Sequence, residues 1–158
     1  MTQAFQTRSI PLEQWCALAK DGAAPPVTVC LEGDSMRPLI RRGKDPVTVI
    51  PLSRALKKGD VVLFHFGGKY VVHRVWKLQN GRVQTFGDNC WNPDAWVTED
   101  QVLGLVVKYR RGGRAHRLDT PFARAWGRAW MAIHPLRLFG KRLKVLLARS
   151  YRKLFPKR

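Results

Sequence analysis

An all-β, partly barrel-like domain followed by a basic helical tail is predicted by where the turns of this 158-residue sequence fall and by one change of period. Between Val27 and Tyr109, short apolar or alternating runs recur between turns rich in Gly, Asp, Asn and Pro, the pattern of a mainly antiparallel β domain. Two of the turns are hairpin signals, Gly67-Gly68-Lys69 and Asn80-Gly81. The second is the stronger, because Asn and Gly both tolerate the positive φ of a tight hairpin turn. After Arg110-Arg111-Gly112-Gly113-Arg114 the apolar spacing becomes helical. The expected division is a β domain over residues 1–109, with a short helix at 11–21, and a basic amphipathic tail over 110–158.

Taken in order, Leu12 to Lys20 places Leu12, Trp15, Cys16, Leu18 and Ala19 on one broad helix face. Pro11 suits the first helical position and Gly22 can end the helix. Pro25-Pro26 leads into an apolar run, Val27 to Leu31. Val47 to Ile50 is a second strand, ended by Pro51, and Val61 to Phe66 follows the turn at Lys57-Lys58-Gly59-Asp60. Tyr70 to Leu78 and Arg82 to Phe86 pair across Asn80-Gly81. Residues 87–94 form a loop, and Val102 to Tyr109 completes about six strands. In the tail, Phe122, Trp126, Ala129, Trp130 and Ile133 share a helical face opposite Arg124 and Arg128. Pro135 separates this helix from a second one over about Leu136 to Phe155.

A hydrophobic content of 45% supports one real core, while the formal charge of +18 is unevenly placed. Met1 to Val107 holds 13 Lys/Arg against 10 Asp/Glu, whereas Lys108 to Arg158 holds 16 against 1. Such asymmetry implies an anionic partner for the tail. Cys16, Cys30 and Cys90 are odd in number and lack metal-ligand spacing, so reduced thiols and no metal are expected. No apolar run has the length of a signal peptide or a membrane-spanning helix. A cytoplasmic protein, peripheral at the inner membrane face, is therefore expected.

The chemistry-bearing stretch is Glu32-Gly33-Asp34-Ser35-Met36-Arg37-Pro38-Leu39. It follows a strand and offers one hydroxyl in a turn shaped by Gly33, Asp34 and Pro38. A serine so placed can act as a nucleophile if a base lies within hydrogen-bond reach. Taken alone, Gly-Asp-Ser reads first as an ordinary Asp-Ser turn. His65, His73, His116 and His134 are the candidate bases. His73 sits in an alternating strand and is followed by Arg74; an unperturbed imidazole is neutral often enough near pH 7 to accept a proton. Asp88 and Asp94 share one loop, and either can orient the base or cap backbone amides. Cys90 lies between them without a motif of its own.

Ser35-Met36-x-Pro38, Gly59-Asp60-Val61-Val62-x-Phe64, Val72-His73-Arg74-Val75 and Gly87-Asp88-Asn89 occur in this order. The series resembles the S24/S26 superfamily of serine peptidases, which includes signal peptidase I and the LexA-type repressors. The His-Arg block is similar to the branch of signal peptidases that uses histidine where others use lysine. The resemblance spans about Val27 to Val107. It implies Ser35 as nucleophile, His73 as base, Asp94 as orienting acid and Asp88 as a residue shaping the site. Gly33, Asp34, Met36 and Pro38 would form the oxyanion and substrate-binding turn, and Arg74 would support the loop. No cofactor is implied. A peptide or protein substrate would bind as an extended strand, with small residues before the cut. The sequence departs from the family pattern where Gly33 replaces a hydroxyl donor, where Gly43-Lys44-Asp45-Pro46 is a residue longer, and where Cys90-Trp91-Asn92-Pro93 fills the acidic loop. A non-catalytic membrane-associated module of the same fold is one alternative. A self-cleaving LexA-type regulator is another, although His73 stands where that type has a lysine and Ala23-Ala24 is the only small pair upstream.

Basic residues flanking an apolar stripe are the pattern of a helix lying on an anionic bilayer. Trp126, Trp130 and Phe139 would sit at the headgroup level, with Lys141 and Arg142 facing lipid phosphate. Nucleic acid is the less favoured anion, since basic charge alone is only an electrostatic footprint. A partner protein could occupy the same helices.

Overall fold

A computed structural model describes residues 11–137 and 139–140. Eight strands form one antiparallel sheet: β1 (Val27–Val29), β2 (Val47–Pro51), β3 (Val61–Phe66), β4 (Lys69–Gln79), β5 (Arg82–Phe86), β6 (Trp96–Thr98), β7 (Val102–Arg111) and β8 (Arg114–Arg117). The spatial order is β1-β2-β7-β3-β4-β5-β6, and β8 also pairs with β7. The predicted mainly β, partly barrel-like architecture is the one found. Register shifts at Thr48/Val49, Leu63/Phe64 and Val75/Lys77 bend the strands, as β-bulges do, and the sheet coils into a half-barrel.

That coiling explains why β3 reads as an unbroken apolar run rather than an alternation. Val61 and Leu63 enter one core cluster with Trp15, Met36, Ile40, Val49 and Val106. Val62 and Phe64 enter a second cluster with Val75, Val83, Val97 and Leu105. Both faces of the strand are covered, so neither calls for polar residues. The first cluster is closed by α1 (Leu12–Lys20), whose Trp15 is fully buried and donates its indole N–H to Pro25 O at 2.6 Å. Gly104 on β7 is needed beneath it, because a Cβ there would lie 2.9 Å from Trp15 Cη2. Pro11 caps α1 with an extended ψ of 140°, one position earlier than expected.

Two strands escaped the sequence reading. β6 is a three-residue edge, too short to show a period. β8 follows Gly112-Gly113, a two-residue hairpin turn with φ of 56° and 79°, so these glycines reverse the chain within the sheet. The boundary expected at 109/110 therefore falls inside β7. Arg111, assigned to the basic tail, is structural: it donates to the buried Asp45 carboxylate at 2.6 Å and to Leu39 O at 2.8 Å. Asp45 also takes the Arg41 guanidinium, at 2.8 Å. The Arg41 hydrogen bonds, opposed by burial and aided by Arg111, hold its carboxyl far below the usual range. The lengthened loop at Gly43–Pro46 thus ties the back of the Ser35 turn to β7.

The tail begins as α2 (Pro121–Ala132), capped by Thr120 Oγ1, which accepts from Ala123 N at 3.1 Å. Its packing departs from the expected faces in part. Gly127 and Met131 are buried against the β domain, whereas Phe122 and Trp126 are 80% and 61% exposed. Arg124 lies on the inward side, donating to Asp119 O at 2.7 Å with Asp60 at 3.8 Å. Asp60 itself is buried and held by Arg54. Most of the expected second helix, with Lys141 and Arg142, lies outside the described residues. Among the described residues, no helix is long and apolar enough to cross a membrane.

Candidate active site

Ser35 stands in the turn after β1, half-buried, above the fully buried Met36. Met36 belongs to the core and forms the floor of the turn. Pro38, preceded by a cis peptide bond, and Gly33 and Asp34 are exposed at its rim. Asp34 pairs loosely with Arg37 at 3.6 Å. The Ser35 backbone N–H donates to no acceptor among the described residues. It is therefore available to an oxyanion, while Gly33 supplies no hydroxyl.

β4 carries His73 and Arg74 to opposite neighbours, because consecutive strand residues point to opposite faces. His73 is buried, and its Nδ1–H donates to Asp94 Oδ2 at 2.6 Å. The same oxygen accepts from Thr85 Oγ1 at 2.6 Å, and Asp94 N donates to Thr85 O at 2.9 Å. β5 thus sets the carboxylate in place, and the carboxylate sets the tautomer of the ring. Burial would push the imidazole pKa down. Hydrogen bonding with Asp94 and Cys90, together with their charges, outweighs burial and raises it to about 9.

Asp88 does a different job. It forms a two-pronged pair with Arg74, at 2.9 and 2.8 Å, and Arg74 also donates to Gly59 O at 2.9 Å. Both side chains are buried. Removing one partner of such a pair leaves a desolvated charge, so Arg74→Ala is expected to destabilise the fold by about 3–5 kcal/mol, read by urea unfolding. A loss below about 1 kcal/mol would show that the loop relaxes into water without it.

The other ring nitrogen, Nε2, lies beside Gly87 with the Cys90 thiol as its neighbour, and the Ser35 carbonyl borders the same space. A Cβ at Gly87 would lie 2.9 Å from His73 Nε2, 3.0 Å from Ser35 O and 2.5 Å from Cys90 Sγ. Serine turn, base and thiol therefore converge on one gap that only glycine leaves open. No hydrogen bond joins Ser35 Oγ to His73; such pairs are commonly looser before substrate binds. The loop is pinned to the turn by Asn89 N, which donates to Ser35 O at 2.7 Å, and by Asn89 Nδ2, which donates to Asp34 O at 3.3 Å.

The structure thus brings Ser35, His73 and Asp94 together and sends Asp88 to Arg74. His65 is exposed beside Tyr70, and His116 stacks on Tyr109. Sequence reasoning missed Gly87 and Thr85 as site residues. Gly87 had a signal in the Gly-Asp-Asn block; Thr85, an alternating strand residue, had none. No group of three or more His, Cys, Asp or Glu suited to a metal ion occurs among the described residues.

A groove of about 650 Å³ runs up to Ser35. Val29, Leu31 and Gly33 line one side, and Leu63, Tyr70 and Val72 the other. Both sides offer unpaired backbone. β1 is an edge strand, and β4 pairs with β5 only from Arg74 onward. An extended peptide entering here would find hydrogen-bonding edges on both flanks.

A comparison with curated proteins finds no match. Residues 4–107 match the family model described as Peptidase S24-like, a span that holds the Ser35 turn, His73, the Gly87–Asp94 loop and most of the sheet, and the chain belongs to that family.

Proposed function

We propose that the chain is a serine endopeptidase in which Ser35 is the nucleophile, His73 the general base and Asp94 the orienting acid. The observation that carries this reading is the 2.6 Å bond between His73 Nδ1 and Asp94, which leaves Nε2 facing the gap shared with Ser35. With Nδ1 protonated, Nε2 holds the lone pair and accepts the Ser35 proton as Oγ attacks the peptide carbonyl. Asp94 stabilises the imidazolium so formed. The Ser35 N–H, which has no acceptor among the described residues, stabilises the developing oxyanion. The imidazolium then protonates the leaving amine, giving an acyl-enzyme that water hydrolyses with the same base.

Resemblance to the histidine branch of signal peptidases supports small residues before the cut, in leader-type or membrane-associated substrates. Peripheral attachment to an anionic bilayer is supported by exposed Phe122, Trp126, Leu136 and Phe139 and by the basic charge beyond Lys108. Trp130 is turned inward, toward Asp88, and contributes less to that face. Self-cleavage in the LexA manner is a second reading, favoured by the Peptidase S24-like match and by Ala23-Ala24 upstream of Ser35.

The test is cleavage of a diverse peptide library with anionic vesicles present, read by mass spectrometry, for wild type, Ser35→Ala and His73→Ala. Rates are expected to fall by about 10³-fold or more in both variants. Cuts that persist in both would remove Ser35 and His73 from the reaction. A cut in the chain itself near Ala23-Ala24, with the library untouched, would replace the endopeptidase by the self-cleaving regulator.

A further inference from the structure

The segment from α2 to Arg137 lies beyond the family-matched residues, yet it packs on the loop that carries Asp94. Gly127 is buried directly against Arg74, so closely that a Cβ there would collide with the guanidinium. Trp130 Nε1 donates to Asp88 O at 3.3 Å, and Arg137 donates to the same carbonyl. The Arg137 guanidinium also stacks over the Trp130 ring, 4.0 Å from its centre. His134 Nε2 donates to Cys90 O at 3.1 Å and sets its ring edge against Phe86 at 4.4 Å. Besides the Arg74–Asp88 pair and the Thr85–Asp94 bonds, the loop is held from two further sides. From the front, Asn89 fastens it to the Ser35 turn. From behind, the two carbonyls flanking Asn89 accept from the tail.

We propose that this segment is a positioning clamp, in which Trp130 and His134 keep the Gly87–Asp94 loop at the distance that holds Asp94 on His73 and Asn89 on Ser35. The inference rests on the serine peptidase reading for its effect on rate, but not for its effect on the His73–Asp94 contact. Carbonyls 88 and 90 point away from the site, and in a loop without the tail they would face water. Without the tail the loop would keep Asn89 on Ser35, Asp88 on Arg74 and Asp94 on Thr85, but the stretch between Asp88 and Asp94 would lose its support from behind and sample positions in which the 2.6 Å contact opens. A mispositioning of about 1 Å is enough to cost about 10²-fold in rate. The clamp also gives a physical route from the tail to the site, since the outward face of the same helix bears Phe122 and Trp126.

The experiment uses the full chain with His134→Ala, His134→Gln, Trp130→Phe and the exposed control Arg128→Ala. Two readouts are taken: the His73 pKa by NMR titration, and the rate at which a fluorophosphonate labels Ser35. His134→Ala is expected to lower the His73 pKa and slow labelling about tenfold or more. His134→Gln, which keeps a donor for Cys90 O, is expected to restore much of both. Trp130→Phe, which keeps the ring under Arg137 but loses its N–H, should give a smaller loss, and Arg128→Ala none. An unchanged His73 titration in folded His134→Ala overturns the clamp. If wild type is not labelled at all, the peptidase reading fails while the titration still decides the clamp. Should His134→Ala fail to fold, the titration of Trp130→Phe decides alone: a lowered pKa supports the clamp and an unchanged one overturns it.

Discussion

Asp94→Asn is expected to lower kcat by about 10⁴-fold, the scale of loss when the orienting acid of a Ser-His-Asp triad becomes an amide, and to move the acid limb of the pH profile downward. Two consequences of one contact are involved. The carboxylate fixes the ring so that Nε2 carries the lone pair; an Asn side chain can instead donate to Nδ1, which puts the proton on Nε2 and leaves nothing to accept from Ser35. The carboxylate also favours the imidazolium, which is why the His73 pKa stands near 9 despite burial. A general base must be neutral, so wild-type kcat/KM should climb with pH until about 9. Without Asp94, burial is opposed by Cys90 only, and the limb shifts to lower pH. Stability runs the other way. A histidine whose folded pKa is raised contributes stability that is complete below the ordinary value of about 6.5 and is lost as pH rises through 9. Wild type should therefore unfold more easily at pH 9 than at pH 6, and Asp94→Asn should show little of that difference. Rate and melting profiles from pH 6 to 10 measure both. A wild-type acid limb at or below pH 6.5 would mean that Asp94 does not raise the His73 pKa.

What was legible in the sequence divides along physical lines. The apolar runs gave six strands because burial on one or both faces writes itself into residue type. Ser35 and His73 could be singled out as candidates because each lies in a short block whose order resembles a family. Their partners were less legible. Asp88 and Asp94 are the same residue type in one loop, and their different roles come from the strands behind them. Thr85 on β5 reaches Asp94, while Arg74, on the opposite face of β4 from His73, reaches Asp88. A pairing register decides that outcome, and one chain does not display its register. The basic tail misled for a related reason. Arg111 and Arg124 count as surface charge in composition, yet each is directed to a buried aspartate, Asp45 or Asp60, that is remote in sequence. Likewise α2 buries Gly127 and Met131 rather than its aromatic stripe, because Arg74 needs the space that a glycine leaves.

Gly87→Ala tests the shared gap with a single methyl group. The backbone at Gly87 needs no unusual conformation, so the cost comes from space alone. The added Cβ would stand 2.9 Å from His73 Nε2 and 3.0 Å from Ser35 O, closer than carbon normally approaches either. Cys90 Sγ, at 2.5 Å, is the end of a short side chain and can rotate away. Neither of the others yields so easily: the Ser35 carbonyl is backbone held by Asn89 N, and the imidazole is buried and fastened to Asp94. Relief must therefore separate turn from base. Overpacking of this kind costs about 1–3 kcal/mol of stability, which a domain with two core clusters can absorb. Separation of nucleophile and base by about 1 Å is expected to slow fluorophosphonate labelling of Ser35 by about 10²-fold. Cys90→Ala in the same background separates the causes. It removes the thiol but leaves the methyl between Ser35 and His73, so labelling should stay slow. Full recovery would instead make the displaced thiol the obstacle and would deny that Gly87 keeps the path between Ser35 and His73 open.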